Sequence, residues 1–486
     1  MLFNSIQFII FFIVVTLAYF SLSWRGRWVL LLVASCYFYM VFKPVFILIL
    51  FGTIVIDYYA GIWIEKSDNQ KQKKLLLIIS LISNIGILAF FKYYDFLQDS
   101  INSVLASFDL RPAIPALTRL IPSRIAEWMT TGEGKILLPI GLSFHTFQAM
   151  SYTIEVYRGN QTAERNFGIY ALYVMFYPQL VAGPIERPQN MLHQFHAYFK
   201  YDFEQVKSGL MQMAFGFFKK LVIADRLSMF VDHAYDPAAD HNGLTLLTAT
   251  AFYSFQIYCD FSGYSDIAIG AARVMGFTLM DNFRSPYEAK SIPEFWGRWH
   301  ISLSTWFRDY LYIPLGGNRR GELIKFRNLM IVFMVSGLWH GTSWSFVIWG
   351  ALHGFYQISA LLRDKYMKQA NIQMPDNFFF RTVNVLTTFA LVTLAWIFFR
   401  NSLSRSMVIF QKIGTLSLSD QLSSPFNQVE MWFCVTLVAF LLWKEHYFEK
   451  IPTTSTTLFF VLFPTVVFLT YFLGVIIENQ FIYFQF

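Results

Sequence analysis

The stretch "EFWGRWHISLSTWFRDYLYIPLGGNRRG", residues 294–321, decides how the rest of the chain is read. It gathers Arg298, His300, Arg308 and Asp309 among three tryptophans and then turns on Gly316-Gly317. At 100° per residue, Trp296, Trp299, His300, Leu303, Phe307, Tyr310 and Leu311 fall within about 120° of one another. Arg298, Ser302, Thr305 and Asp309 fall on the opposite face. Pro293 stands just before this run and Pro314 closes it. The spacing predicts one amphipathic helix of about 15–20 residues, too short and polar for an ordinary span. It reads as a re-entrant or interfacial helix with His300 turned towards protein or membrane interior.

The surroundings make that cluster unusual. Of 486 residues, 55% are hydrophobic and 14% charged, against about 25% charged in soluble domains. Residues 3–23, 28–42, 44–64, 75–91, 379–399 and 457–477 reach or approach the roughly 20 apolar residues that a helix needs to cross a bilayer. The fold class implied is an all-α polytopic membrane protein of about eleven crossings plus re-entrant helices. The net charge of +7 has a topological source rather than a nucleic-acid partner. Arg25 and Arg27 follow the first span, and Lys66, Lys71, Lys73 and Lys74 follow the third. Basic short loops face the cytosol, which places the N-terminus outside. The first span lacks a basic leader and a small-residue cleavage site, so it reads as retained. Cys36, Cys259 and Cys434 are too scattered for a disulfide framework or a zinc site.

Within one domain, 1–486, the chain divides into N-terminal spans (1–97), a polar excursion with Pro112, Pro115 and Pro122 (98–135), a core (136–356) and C-terminal spans (357–486). In the core, apolar helices alternate with Gly- and Pro-punctuated polar segments. Irregular backbone at membrane depth is tolerated where it is buried in protein or lines a watery cavity, so functional residues are sought there.

The second constellation is "VSGLWHGTSWSFVIWGALHG", 335–354, where His340 interrupts an otherwise good span. Gly337 and Gly341 flank it, and helical spacing puts Ser336 and Trp344 on its face. Neutral imidazole can take a proton from a hydroxyl near neutral pH, and an intramembrane ionisable group is a functional candidate by default. A helix-packing histidine is the competing reading, as a core histidine is for His300. His353, thirteen positions on, falls on a different face and reads as structural.

In "YCDFSGYSDIAIG", 258–270, Asp260 and Asp266 need partners at membrane depth, and Arg298 and Arg308 are candidates; helix caps at a broken-helix loop are the alternative. His145 lies in an apolar run within "LPIGLSFHTFQAMSYTIEVYRG" (138–159), and Glu186-Arg187 in "YPQLVAGPIERP" (177–188) offers a local ion pair. "GFFKKLVIADR" (216–226) presents Lys219 and Lys220 for anionic lipid headgroups or a nucleotide-like donor. The chain lacks a GxSxG elbow, an HxxxxD motif, a P-loop and HExxH. Only His193 and His196 have metal-pair spacing, with no Cys nearby, so no metal site is implied.

These motifs, in this order, resemble the membrane-bound O-acyltransferase (MBOAT) family, and most closely its bacterial branch typified by alginate O-acetylation. "WGRWHISLSTWFRDYLYIPLGGNR" and "GLWHGTSWSFVIWGALHG" carry the likeness, with the four segments above and the ending "FIYFQF" (481–486). His145 departs from the expected aromatic residue. The resemblance implies a fold pinched around a central tunnel, with His340 as catalytic residue and His300 as its support. Trp339, Trp344, Ser336, Arg298, Asp309, Asp260 and Asp266 are the accompanying tunnel candidates. No bound cofactor is implied. The substrate donor would be an acyl thioester such as acetyl-CoA, drawn from the cytosol. The acceptor would be an extracytoplasmic polysaccharide, or a periplasmic partner protein that relays the group, at the bacterial cytoplasmic membrane.

An oxyanion donor would be needed too: the Trp344 indole, a serine hydroxyl or His300. Peptidoglycan O-acetylation and D-alanyl transfer to teichoic acid are the alternatives within the class. A proton-coupled transporter would more often show paired repeats, which the sequence lacks. A polysaccharide-export scaffold would make the histidines dispensable.

Overall fold

A computed structural model describes residues 1–120, 128–131, 135–181, 183–372, 375–448, 455–475 and 481–482. Pro122, Ala182 of the "YPQLVAGPIERP" motif and residues 483–486 of the ending lie outside the described residues. Among the described residues the chain is helical, with one isolated bridge between Thr130 and Ile136 in the polar excursion.

Among the described residues, five helical stretches are long and apolar enough to cross a bilayer: Pro44–Lys66, Gln70–Ala106, Trp344–Gln369, Phe378–Arg400 and Thr456–Leu473. Four of them match the expected spans 44–64, 75–91, 379–399 and 457–477. The expected spans 3–23 and 28–42 form the shorter helices Ile6–Ser21 and Trp24–Met40.

The chain forms two compact units: Met1, Ile13–Val181 and Ile185–Tyr198 in one, Leu2–Phe12, Ala182–Pro184 and Phe199–Phe486 in the other. In the first, Ile47–Lys66, Gln70–Leu88 and Leu142–Arg158 pack together through a buried polar seam. Asp57 accepts from Ser80 Oγ at 2.6 Å and from Asn84 Nδ2 at 2.8 Å. Ser80 lies 2.9 Å from Thr153 Oγ1. His145 Nε2 lies 2.6 Å from Thr53 Oγ1, whose own hydrogen goes to Leu50 O. The histidine that departs from the family pattern is therefore a helix-to-helix fastener.

The second unit is built on the 32-residue helix Gly243–Val274, which buries residues all round its circumference. Such a helix is about 48 Å long. Helix Phe203–Phe217 lies directly against it, backbone to backbone. A Cβ added at Gly216 would stand 2.7 Å from the carbonyl oxygen of Gly263, so only glycine permits this approach.

Asp260 and Asp266 lie within this unbroken helix, not at a loop or cap as expected. Their partners are also different from the expected arginines. Lys220 Nζ lies 2.5 Å from Asp260 and 2.8 Å from Asp225, while Lys219 Nζ lies 2.6 Å from Asp266. The cause is a π-helical segment, Phe218–Ala224. Its wider turn lets two consecutive lysines reach the same neighbouring helix. Both lysines are buried, so they are not available to lipid headgroups or a nucleotide-like donor. A buried charge must be paired, and here the lysines and aspartates pair each other.

Candidate active site

The stretch 294–321 is not one helix. It forms Ile292–Arg298 and Ile301–Phe307, then a π-helical turn, Arg308–Tyr312, before the glycine turn. The break falls at Trp299-His300, and His300 takes the left-handed conformation, φ 43° and ψ 54°. A non-glycine residue there costs about 1–3 kcal/mol and persists where the surroundings dictate it. Here they do: Arg284 N donates to Arg298 O at 3.0 Å and Ile301 N to Asn282 O at 2.9 Å. The strip 282–284 thus splints the break. Projection through a continuous helix therefore misplaces the residues beyond His300. Ser302, expected on the polar face, is fully buried, and its Oγ donates to Asn282 Oδ1 at 2.9 Å.

His340 is the last residue of helix Glu322–His340. The chain then turns through Gly341 and re-enters helix at Trp344–Gln369. The two helices meet at glycine: a Cβ at Gly337 would lie 2.2 Å from Phe346 O. Because the helix stops at His340, the expected i+4 relation to Trp344 does not hold. Trp344 opens the next helix and is 57% exposed. Ser336 and Trp339, on the helix of His340, are buried.

His300 and His340 are both buried and their ring centroids are 6.5 Å apart. The surroundings are aromatic. Phe261 and His300 are perpendicular with ring centroids 4.7 Å apart, and the rings of Trp339, Trp349 and Phe399 surround His340 at centroid distances of 5.0–5.3 Å. Such walls exclude water and strengthen any electrostatic contact inside them. His353 belongs to the same cluster, contrary to the angular argument, which assumed one continuous helix. Trp349 touches His353 at 4.9 Å and His340 at 5.1 Å, and Trp296 Nε1 donates to His353 Nδ1 at 3.3 Å. Its indole partner supports the structural role expected of it.

Other candidates are occupied elsewhere. Arg298 pairs with Glu294 at 2.7 Å and Asp309 with Arg308 at 2.8 Å. Asp260 Oδ2 accepts from Ile482 N at 2.7 Å, and Phe481 stacks on Tyr264 at 4.4 Å while leaning on Phe261. The described part of the C-terminal segment thus buttresses the ring that flanks His300. Asn282, which carries no motif of its own, also lines a polar cavity of ≈ 60 Å³ with Ser265, Lys219, Asp266, Lys444 and Glu445. That volume suits a few water molecules.

Two buried histidine rings thus lie 6.5 Å apart in an aromatic-walled interior, beside a helix break, which is an arrangement suited to proton transfer. The sequence profile of MBOAT, the membrane-bound O-acyltransferase family, matches residues 16–408. The chain is 39% identical to a Pseudomonas putida protein named "Probable alginate O-acetylase AlgI" over 402 residues, 82% of this chain and 77% of that one. A protein of the same name from Pseudomonas aeruginosa is 39% identical over 405 residues, 82% and 72% of the two chains. The "Peptidoglycan O-acetyltransferase" of Helicobacter pylori is 34% identical over 473 residues, 88% and 84%. The chain belongs to the membrane-bound O-acyltransferase family, in the branch that holds the alginate O-acetylases. It is accordingly an O-acyltransferase of the membrane.

Proposed function

We propose that this enzyme moves an acetyl group from a cytosolic thioester to a hydroxyl on an extracytoplasmic polysaccharide, directly or through a partner protein. The membrane would be the bacterial cytoplasmic membrane, with the N-terminus outside, about eleven crossings and a tunnel meeting the donor on one side and the acceptor on the other. The observation that carries this reading is the buried pair His300 and His340, 6.5 Å apart in an aromatic enclosure.

His340 is the general base. Its imidazole takes the acceptor hydroxyl proton as the oxygen attacks the thioester carbonyl carbon. The tetrahedral intermediate collapses, the C–S bond breaks, and the imidazolium returns its proton to the departing thiolate. Trp339 and Ser336 frame the reacting groups, a role supported by their burial on the helix that ends at His340. Aromatic walls keep water from competing with the acceptor for the thioester. Transfer at mid-depth lets an acetyl group cross without export of the whole donor.

The acceptor is drawn from the polymers that the relatives' names give, alginate first and peptidoglycan second. Mass analysis of surface glycans from cells with and without the protein tests the reading and names the polymer. Loss of acetyl esters from one polymer is the expected result. Unchanged acetylation of every surface polymer would overturn it, as would proton-linked solute uptake by the purified protein in liposomes without acetyl transfer.

A further inference from the structure

Asn282 lies outside both histidine motifs, on the strip that splints the helix break. Its side-chain oxygen faces three groups: Ser302 N at 3.3 Å, Ser302 Oγ at 2.9 Å and His300 Nδ1 at 3.1 Å. The amide nitrogen donates to Ser265 Oγ at 3.2 Å on the long helix. A backbone N–H can only donate, so the group facing Ser302 N must be the oxygen of Asn282 and not its amide nitrogen. The same oxygen faces His300 Nδ1. Two lone pairs at 3.1 Å would repel, so Nδ1 carries a hydrogen there. In a neutral imidazole the other nitrogen then has none.

We infer that Asn282 is a positioning residue that holds His300 in its Nδ1–H tautomer, so that Nε2 serves the reaction as a hydrogen-bond acceptor. This rests on the acyltransferase reading for its consequence, though not for its geometry. An Nε2 without hydrogen cannot donate to the developing oxyanion. Of the roles open to His300, the oxyanion donor is removed. The role left to it is acceptance of a hydrogen from His340 or from the acceptor hydroxyl, orienting that hydrogen for transfer. Strain at His300 and the splint at 282–284 serve the same end, since both fix the direction of the ring.

The decisive measurement is the 15N spectrum of the full-length protein labelled at histidine, in detergent and without donor. Subtracting the spectrum of His300→Asn assigns the signals, asparagine being tolerant of left-handed backbone. The expected result is a protonated Nδ1 and an unprotonated Nε2 at His300 in the wild type, with this preference lost in Asn282→Leu. A protonated Nε2 in the wild type, or an unchanged tautomer in Asn282→Leu, overturns the inference.

Kinetics supply a second readout. Asn282→Leu should lower kcat by ~10–100-fold, the usual cost of losing a histidine's orienting partner, with KM for the thioester little changed. Asn282→Asp keeps an oxygen acceptor and should restore most of the rate. Its carboxylate favours the imidazolium, so the acid limb of its kcat profile should move to higher pH. Failure of aspartate to rescue would count against positioning. The resting spectrum needs no turnover, so a wrong tautomer defeats this inference alone. Full transfer by His340→Ala defeats the catalytic reading alone.

Discussion

Two buried polar sites can be set side by side: the Asp57 seam in the first unit and the histidine pair in the second. Both hold ionisable groups among membrane-spanning helices, where such groups are expensive. The Asp57 seam is regular. Ser80 and Asn84 stand four apart on one helix and bond the same carboxyl from one side, and no backbone in the seam departs from helix. The histidine site is irregular at each turn. One helix stops at His340, another breaks at His300 with positive φ, and Gly337 allows backbone contact on the helix that ends at His340. Burial does not separate these two sites; backbone irregularity does. Regular helices suffice to fasten the Asp57 seam, whereas the two histidine rings are brought within 6.5 Å by departures from helix, one of which costs strain.

Substitutions can break that comparison. The largest effect should come from His340→Ala, which removes the proposed general base and should lower transfer by ~10²–10⁴-fold with folding intact by size-exclusion and thermal melts. His300→Ala should cost less, on the order of 10–100-fold, and His300→Asn should melt higher than His300→Ala because asparagine accepts the left-handed backbone. Gly337→Ala pushes a methyl against Phe346 O, so the helix pair must part. Stability should fall by ~1–3 kcal/mol, with turnover falling as His340 moves. Asp57→Ala should show the smallest change in turnover. It removes the acceptor that Ser80 and Asn84 share and should cost ~1–3 kcal/mol of stability, while the rate per folded molecule stays at the wild-type value. A selective loss of turnover in Asp57→Ala would erase the distinction between the two regions.

The same contrast explains how much was legible in the sequence. Spans such as 379–399 and 457–477 could be read because apolar runs of that length have one outcome in lipid. His340 could be read because an ionisable residue in such a run stands out. The break at Trp299-His300 could not, because the residues on each side continue the helical period and the break is imposed by backbone from 282–284. Lys219 and Lys220 looked like a headgroup site because nothing in "FFKKLVIA" announces a π-helical turn. Asn282 carried no signal in its own neighbourhood, since its partners lie 17 to 20 residues away. His353 was read as structural for a geometric reason that failed, and it is the Trp296 indole that supports that role.

Whether His340 is the base for acyl transfer comes down to one rate. Purified wild-type protein and His340→Ala, matched for folded amount, would be given labelled acetyl thioester and the isolated acceptor polymer, with any relay partner supplied. The expected result is acetyl transfer by the wild type and a loss of at least ~10²-fold in the variant. Transfer by His340→Ala at the wild-type rate would contradict a general-base role.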